Sequence, residues 1–374
     1  MVERDIQNIL ENRFFDSKVI IVTGPRQVGK TTLLRQIAEK QKKEPLFLNC
    51  DDPEVRQMLT GINSKTIQSL FGNQKMIMID EAQRVSNIGL ILKLMVDNLK
   101  DVQIIVTGSS SFDLSNKMNE PLTGRKYTYC LYPFSVRELV KDTNMMSQIQ
   151  MLEQRLLFGS YPDVVNNPGR EREILLNIAE SYLFKDILSA SGLRKPAVLE
   201  KLVIALALQV GSEVSYSELA NTVGVNMETV ERYIDLLEKC FVVFRLSAFS
   251  RNLRSEIKKS RKIYFYDNGI RNAMLSNFQP LSLRQDVGAL WENFIISERI
   301  KRNQYDNNYA KIYFWRTFQQ QEIDYIEDKD GTLSAFEIKW NEKKRSRLPM
   351  SFAATYPQHT FNVINRENYM DFVG

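Results

Sequence analysis

The amino-acid sequence predicts an α/β fold: a parallel sheet with helices on both faces, followed by smaller helical and mixed modules. Three observations predict it. Residues 1 to about 140 alternate β-branched runs with helical runs, the pattern of strands joined by crossover helices. One strand–helix junction, Gly24-Pro25-Arg26-Gln27-Val28-Gly29-Lys30-Thr31, is a complete G-x-x-x-x-G-K-[ST] loop. Another run, Lys75-Met76-Ile77-Met78-Ile79-Asp80-Glu81, ends in two adjacent carboxylates.

The expected strands are 18–23, 45–50, 75–80, 102–107 and 126–132. The first feeds the glycine-rich loop, and Thr31 to Ala38 leave it as a helix. Glycines let the loop curl so that its N–H groups converge on an anion, and the helix N-terminus adds unpaired donors. The phosphate-binding set is Gly24, Pro25, Arg26, Gln27, Val28, Gly29, Lys30, Thr31 and Thr32. Lys30 supplies a point charge to the β- and γ-phosphates, and the Thr31 hydroxyl is placed to ligate Mg²⁺. Asp51-Asp52-Pro53 breaks the chain after the second strand. After the third, Asp80 holds the metal through water and Glu81 polarises the attacking water. The fourth runs into Gly108-Ser109-Ser110-Ser111. Thr107, Ser109 and Ser110 there are candidates to sense the γ-phosphate; a helix N-cap or plain turn explains them equally well.

Residues 141–196 read as helical, interrupted at Phe158-Gly159-Ser160-Tyr161-Pro162, and suit a lid beside the nucleotide. Residues 197–275 carry two short amphipathic helices joined through Gly224, a helix-turn-helix, then the apolar run Phe241–Leu246 as the strand of a wing. Such a module reads DNA or docks protein. Its second helix bears Glu228, Glu231, Asp235 and Glu238 against Arg232, whereas the stretch 251–262 is basic and suits phosphate contacts.

Residues 276–374 contain a hairpin around Asp328-Lys329-Asp330-Gly331. Centred there, the turn sets Asp324 opposite Ala335 and puts Asp324, Glu337 and Lys339 on one face. Ile323, Tyr325, Phe336, Ile338 and Trp340 share the other. Two carboxylates beside a lysine suit a divalent metal and water activation. Glu292, in the helical run Trp291–Ile296, is a further candidate ligand. Charges on the outer face of a hairpin are otherwise merely solvated.

Composition bounds the rest. The 374 residues suit two to four domains, and the net charge of +5 permits nucleic-acid binding without arguing for it. No apolar run is long enough to span a membrane, and the charged N-terminus lacks a signal-peptide core. Three separated cysteines and one histidine argue against zinc and for reduced, buried thiols.

Across most of its length the chain resembles the prokaryotic AAA-type ATPases fused to a C-terminal domain of unknown function. The resemblance is carried by the glycine-rich loop, Ile79-Asp80-Glu81-Ala82-Gln83, Thr107-Gly108-Ser109-Ser110-Ser111, Gly124-Arg125 and Leu131-Tyr132-Pro133-Phe134-Ser135. Gly159-Ser160-Tyr161-Pro162 and Tyr182-Leu183-Phe184-Lys185-Asp186-Ile187 extend it. The resemblance implies a winged helix in the middle and a restriction-endonuclease-like fold at the end. That fold carries a Glu…Asp…Glu-x-Lys signature matched here by Glu292, Asp324, Glu337 and Lys339. Arg125 is the candidate arginine for the γ-phosphate, in its own or a neighbouring subunit, with Arg137 in reserve.

The expected architecture is therefore a P-loop NTPase parallel sheet (1–140) with a helical lid (141–196), then a winged helix (197–275) and a restriction-endonuclease-like α/β domain (276–374). The expected activity is cytoplasmic, Mg²⁺-dependent ATP hydrolysis, with Lys30, Glu81 and Arg125 catalytic and Ser109 at the nucleotide. A second metal site would use Glu292, Asp324 and Glu337. Its output is either an ATP-gated, nuclease-like action on DNA or a switch binding a protein partner, in a monomer or homo-oligomer. A small-molecule kinase fits less well, because Asp80-Glu81 suits attack by water.

Overall fold

The computed structural model describes residues 2–108, 122–180, 196–250, 261–343 and 346–374. Glu3–Pro133 with Lys239–Phe241 forms one compact unit, and Met1–Val2, Phe134–Glu238 and Val242–Gly374 form another.

The N-terminal unit is built on a five-stranded sheet: β1 (Val19–Thr23), β2 (Leu46–Asn49), β3 (Met76–Asp80), β4 (Gln103–Thr107) and β5 (Lys126–Cys130). The strand order is β2-β3-β4-β1-β5 and every pairing is parallel. β1, β3 and β4 are buried at every position, which is why they read as unbroken apolar runs rather than alternating ones. Leu59, Ile67, Phe71, Ile88 and Leu92, from three flanking helices, pack on Ile77, Ile79 and Ile104. Because the strands are parallel, all five carboxyl ends lie at one edge, the edge where such sheets bind ligands.

In the C-terminal unit, residues 136–180 form short helices joined by turns. The sequence reading makes 141–196 a lid of the ATPase part, but residues 141–180 pack within the C-terminal unit. The helix Leu152–Phe158 is tied to the helix Asn268–Met274: Asn268 and Asn272 side-chain amides donate to the Leu156 carbonyl at 3.3 and 3.2 Å.

The unit's sheet has seven strands: β6 (Glu213–Val214), β7 (Val243–Ala248), β8 (Arg261–Phe265), β9 (Lys311–Arg316), β10 (Glu322–Lys329), β11 (Thr332–Ile338) and β12 (His359–Ile364). Their order is β12-β11-β10-β9-β7-β8-β6. β7 and β9 pair in parallel, Ser247 with Tyr313 and Ala248 with Phe314. The expected boundary at 275/276 therefore divides one continuous sheet, and the two regions share it rather than folding as separate bodies.

The β10–β11 register also differs from expectation. Lys329 pairs with Thr332 and Tyr325 with Phe336, so the ladder's next step brings Asp324 level with Glu337, not Ala335. The turn is the two-residue Asp330-Gly331, both at positive φ (52° and 85°), the conformation an Asp-Gly hairpin favours. A slip of two residues preserves the faces, so Asp324 and Glu337 stay on one side. Ile323 does not keep its predicted face. A bulge in β10 between Ile323 and Ile326 turns it to pack with Ile326 and Ala335.

Candidate functional site

The glycine-rich loop leaves β1 at the carboxyl edge of the sheet. Gly24 has φ +146°, and a Cβ there would lie 2.2 Å from the Leu131 carbonyl oxygen, so only glycine fits. Gln27 (φ 60°) and Gly29 (φ 92°) are left-handed and reverse the chain into a cradle. The helix Lys30–Glu39 begins without a side-chain cap, leaving first-turn N–H groups for an anion. Lys30 is buried and its Nζ donates to the carbonyls of Gly24 (2.9 Å) and Pro25 (2.7 Å). Burial lowers its pKa to about 8, opposed by the Glu81 carboxylate.

Asp80 ends β3, buried, and joins the site's hydroxyls. Thr31 Oγ1 donates to its Oδ2 at 2.7 Å, and Thr107 Oγ1 to its Oδ1. The hydroxyl and carboxylate form a hard, oxygen-only donor set of the kind Mg²⁺ takes. Glu81 follows in a left-handed conformation (φ 53°), its N–H donating to Thr107 Oγ1 at 3.2 Å. Gln83 Nε2 donates to the Glu81 carboxylate. Thr107 thus touches both acidic residues, while Ser109 and Ser110 lie outside the described residues.

Arg125 is not at this site. It precedes β5, where its carbonyl accepts from Val19 N–H at the start of β1. β1 and β5 run parallel, so the loop lies a full strand away, about 16 Å for five residues. Arg125 instead pairs with Asp97 at 2.8 Å, exposed to solvent. The reserve candidate, Arg137, pairs with Asp306 in the C-terminal unit.

Contacts from Arg4, Glu298 and Lys301, which sequence reasoning missed, bracket the segment after β5. Arg4, buried, donates to the Val28 carbonyl in the loop (2.9 Å) and to the Tyr132 carbonyl. A few residues on, in the C-terminal unit, Lys301 Nζ donates to the Phe134 carbonyl (3.1 Å) and Glu298 accepts from Val136 N–H (2.7 Å). Lys301 and Glu298 form a buried pair at 2.6 Å on the helix Val287–Tyr305. No residue spacing signals these partners, which lie far away in the chain.

The same helix carries Glu292, one of the four residues expected at the second site. Lys339 Nζ lies 3.2 Å from Asp324 Oδ2 and 2.6 Å from Glu337 Oε1, so three of the four predicted residues meet. Ile338 N–H also donates to Asp324, at 2.8 Å. Glu292 is held instead by Lys262 Nζ (3.2 Å) and the Tyr264 hydroxyl (2.6 Å), both from β8. Lys262 also reaches Glu322 at 2.5 Å. Burial, aided by the Asp324 charge, raises the Glu292 pKa to about 7 despite Lys262. Burial disfavours the Lys262 charge, yet Glu292 and Glu322 hold the ammonium well above its usual range. Among the described residues no three acidic, histidine or cysteine side chains converge to hold an ion. As placed, these carboxylates are held by two lysines.

The cysteines are free and buried. Burial pushes the Cys50 and Cys130 thiols up to about 12, leaving them unreactive. No described helix is long and apolar enough to cross a membrane.

Comparison with known proteins places names on these parts. Residues 16–140 match the model of an AAA domain, residues 149–281 a domain of unknown function (DUF8612), and residues 287–370 another (DUF4143). An uncharacterized protein of Mycobacterium tuberculosis is 29% identical over 90% of this chain and 73% of its own length. One of Haemophilus influenzae is 25% identical over 93% and 90%. Among solved structures, the Walker-type ATPase PABY2304 of Pyrococcus abyssi is similar with a TM-score of 0.50 at 16% identity. That match covers 74% of this chain and 96% of the other, a likeness of fold. The chain carries a P-loop ATPase domain of AAA type, joined to regions of unknown function.

Proposed function

We propose that this protein is a cytoplasmic, Mg²⁺-dependent ATPase whose nucleotide state governs its C-terminal module. The observation that carries the reading is the 2.7 Å hydrogen bond from Thr31 to Asp80, below a loop already curled around the Lys30 ammonium. Bound nucleotide would displace Lys30 from its own carbonyls onto the phosphates. Thr31 and Asp80 would hold Mg²⁺, which neutralises phosphate charge when bound, and Glu81 would accept a proton from the attacking water. The segment from Leu131 to Val136 supports coupling. Its first residue touches the loop at Gly24, and its last ones are gripped by Lys301 and Glu298, on the helix that bears Glu292.

For the output, the geometry favours a binding switch over cleavage. Lys262 and Lys339 already neutralise the carboxylates that a nuclease would give to metal. The helix Met227–Lys239 of the winged-helix-like region is acidic, with Asp235 and Glu238 paired to Arg245 and Glu231 to Arg261, which suits a protein partner better than DNA phosphates. The second reading is action on DNA by a restriction-endonuclease-like module, supported by Asp324, Glu337 and Lys339 meeting beside a bulge. In either reading, Arg125 can meet a nucleotide only across an interface in a homo-oligomer.

Turnover of ATP in Mg²⁺, with and without double-stranded DNA and with Lys30→Ala as the blank, tests the ATPase and its partner together. Turnover absent in Lys30→Ala and indifferent to DNA supports the switch. Stimulation by DNA, with plasmid cleavage in Mn²⁺ lost in Asp324→Ala, moves the conclusion to the second reading. No turnover above the blank removes both.

A further inference from the structure

Arg125 lies at the far end of the sheet in its own chain, so a cation supplied in cis for the charge that develops on the γ-phosphate has to come from elsewhere. We propose that Arg26 is that catalytic residue, an arginine supplied in cis by the phosphate-binding loop itself; this rests on the ATP-hydrolysis reading above. Its position follows from the loop geometry. Lys30 Nζ lies 2.7 Å from the Pro25 carbonyl oxygen, and that carbonyl is bonded to the Arg26 nitrogen. Peptide geometry then sets the Arg26 Cα within about 6 Å of the ammonium, less than the length of an extended arginine side chain. Arg26 is half-buried, and its charge is felt at Lys30, where it favours loss of the proton. The loop sequence therefore carries two cations within a side chain's reach of one cradle.

Three other arginines lie at this edge. Arg84 pairs with Asp51 at 2.6 Å, and Arg56 donates to the carbonyls of Cys50 and Asp51 at 2.8 Å each. Arg4 holds the back of the loop through Val28. Arg26 alone among these four lies within the loop sequence.

In the step assigned to it, the water oxygen bonds to the γ-phosphorus as the bond from that phosphorus to the ADP oxygen breaks. The water proton passes to the Glu81 carboxylate and from there to solvent. ADP and inorganic phosphate are the products. Arg26 neither gains nor loses a proton; its N–H groups follow the charge moving onto the equatorial and leaving oxygens. Arginine suits this better than lysine, because its planar fork donates to two oxygens at once.

The test uses the full chain and compares wild type, Arg26→Ala, Arg26→Lys and Lys30→Ala. Steady-state ATP turnover is measured alongside affinity for ADP and for ADP with aluminium fluoride, a mimic of the transferring phosphoryl group. The expected result for Arg26→Ala is a kcat lower by about 10³-fold with KM within about threefold. ADP affinity should be unchanged, and the tighter binding of the aluminium fluoride complex lost. Arg26→Lys should recover little. A kcat within threefold of wild type overturns the proposal, as does a fall in ADP affinity equal to the fall in turnover. If wild type turns over too slowly to follow, the proposal stands or falls on aluminium fluoride binding. If wild type binds neither nucleotide form, the ATPase reading itself fails and the proposal goes with it.

Discussion

At Lys30 the protein keeps an ammonium in a place meant for phosphate, and the proton on it is loosely held. With its pKa brought to about 8, the side chain is half neutral near pH 8 in the nucleotide-free protein. A bound phosphate favours the charged form and raises that value. Nucleotide binding at pH 8 should then take up about half a proton, falling to near zero at pH 6.5. Calorimetric titration in buffers of different ionisation enthalpy reads this directly, and Lys30→Ala should abolish the slope. The sign also predicts weaker ATP binding as the pH rises above 8.

Glycines make equally sharp tests. Gly159 has φ +67°, and a Cβ there would stand 1.9 Å from Asp267 Oδ1. That carboxylate cannot swing away, because it accepts N–H bonds from Ser160 (2.7 Å) and Gly269 (2.8 Å). Gly159→Ala should cost about 3 kcal/mol or more in urea unfolding. Gly169→Ala, at φ +90° with open space around it, should cost only about 1 kcal/mol. Equal costs would mean that backbone strain, not Asp267, dictates the glycine.

For the secondary-structure elements, most of the N-terminal sheet was legible in the chain. Its strands are buried on both faces and carry their own punctuation: the glycine loop after Thr23, Asp51-Asp52-Pro53 after β2, Asp80-Glu81 after β3. The acidic side chains proposed for catalysis, at the end of β3, came with them. The hairpin was legible in kind but not in register, because Asp330-Gly331 can turn the chain in two residues or four. The β10 bulge left no trace in an alternation of side chains. Lys262 was invisible as a partner of Glu292, since only the fold brings β8 beside the helix Val287–Tyr305. That Arg125 lies away from the loop of its own chain was not legible, because its place after the fourth strand gave no hint that β5 starts at the far end.

An ion pair on the helix Val287–Tyr305 grips the segment after β5. Glu298 and Lys301 are both 2% exposed. Lys301→Met strands a buried carboxylate and should cost about 3–5 kcal/mol by chemical denaturation. Adding Glu298→Leu should return part of that loss. If the double variant is as unstable as the sum of the singles, the pair is not acting as a unit.

As a whole molecule, the chain has two compact units with separate sheets and cores. Scanning calorimetry should resolve two transitions rather than one. Mg²⁺-ATP at about 100 times its Kd should stabilise the transition of the N-terminal unit by about 2.7 kcal/mol and leave the other in place. A single transition that shifts entire would make the two units one cooperative body.

The parallel pairing of β7 with β9 has a practical consequence for anyone shortening the protein. Cutting after residue 275, where the composition changes, would strip β9 from Ser247 and Ala248 and leave their backbone donors and acceptors open along a strand edge. Such an edge recruits whatever strand it meets first, including the same edge of another copy. A truncated product is thus expected to assemble or precipitate, and a fragment ending there would report the stickiness of a torn sheet instead of the behaviour of a module.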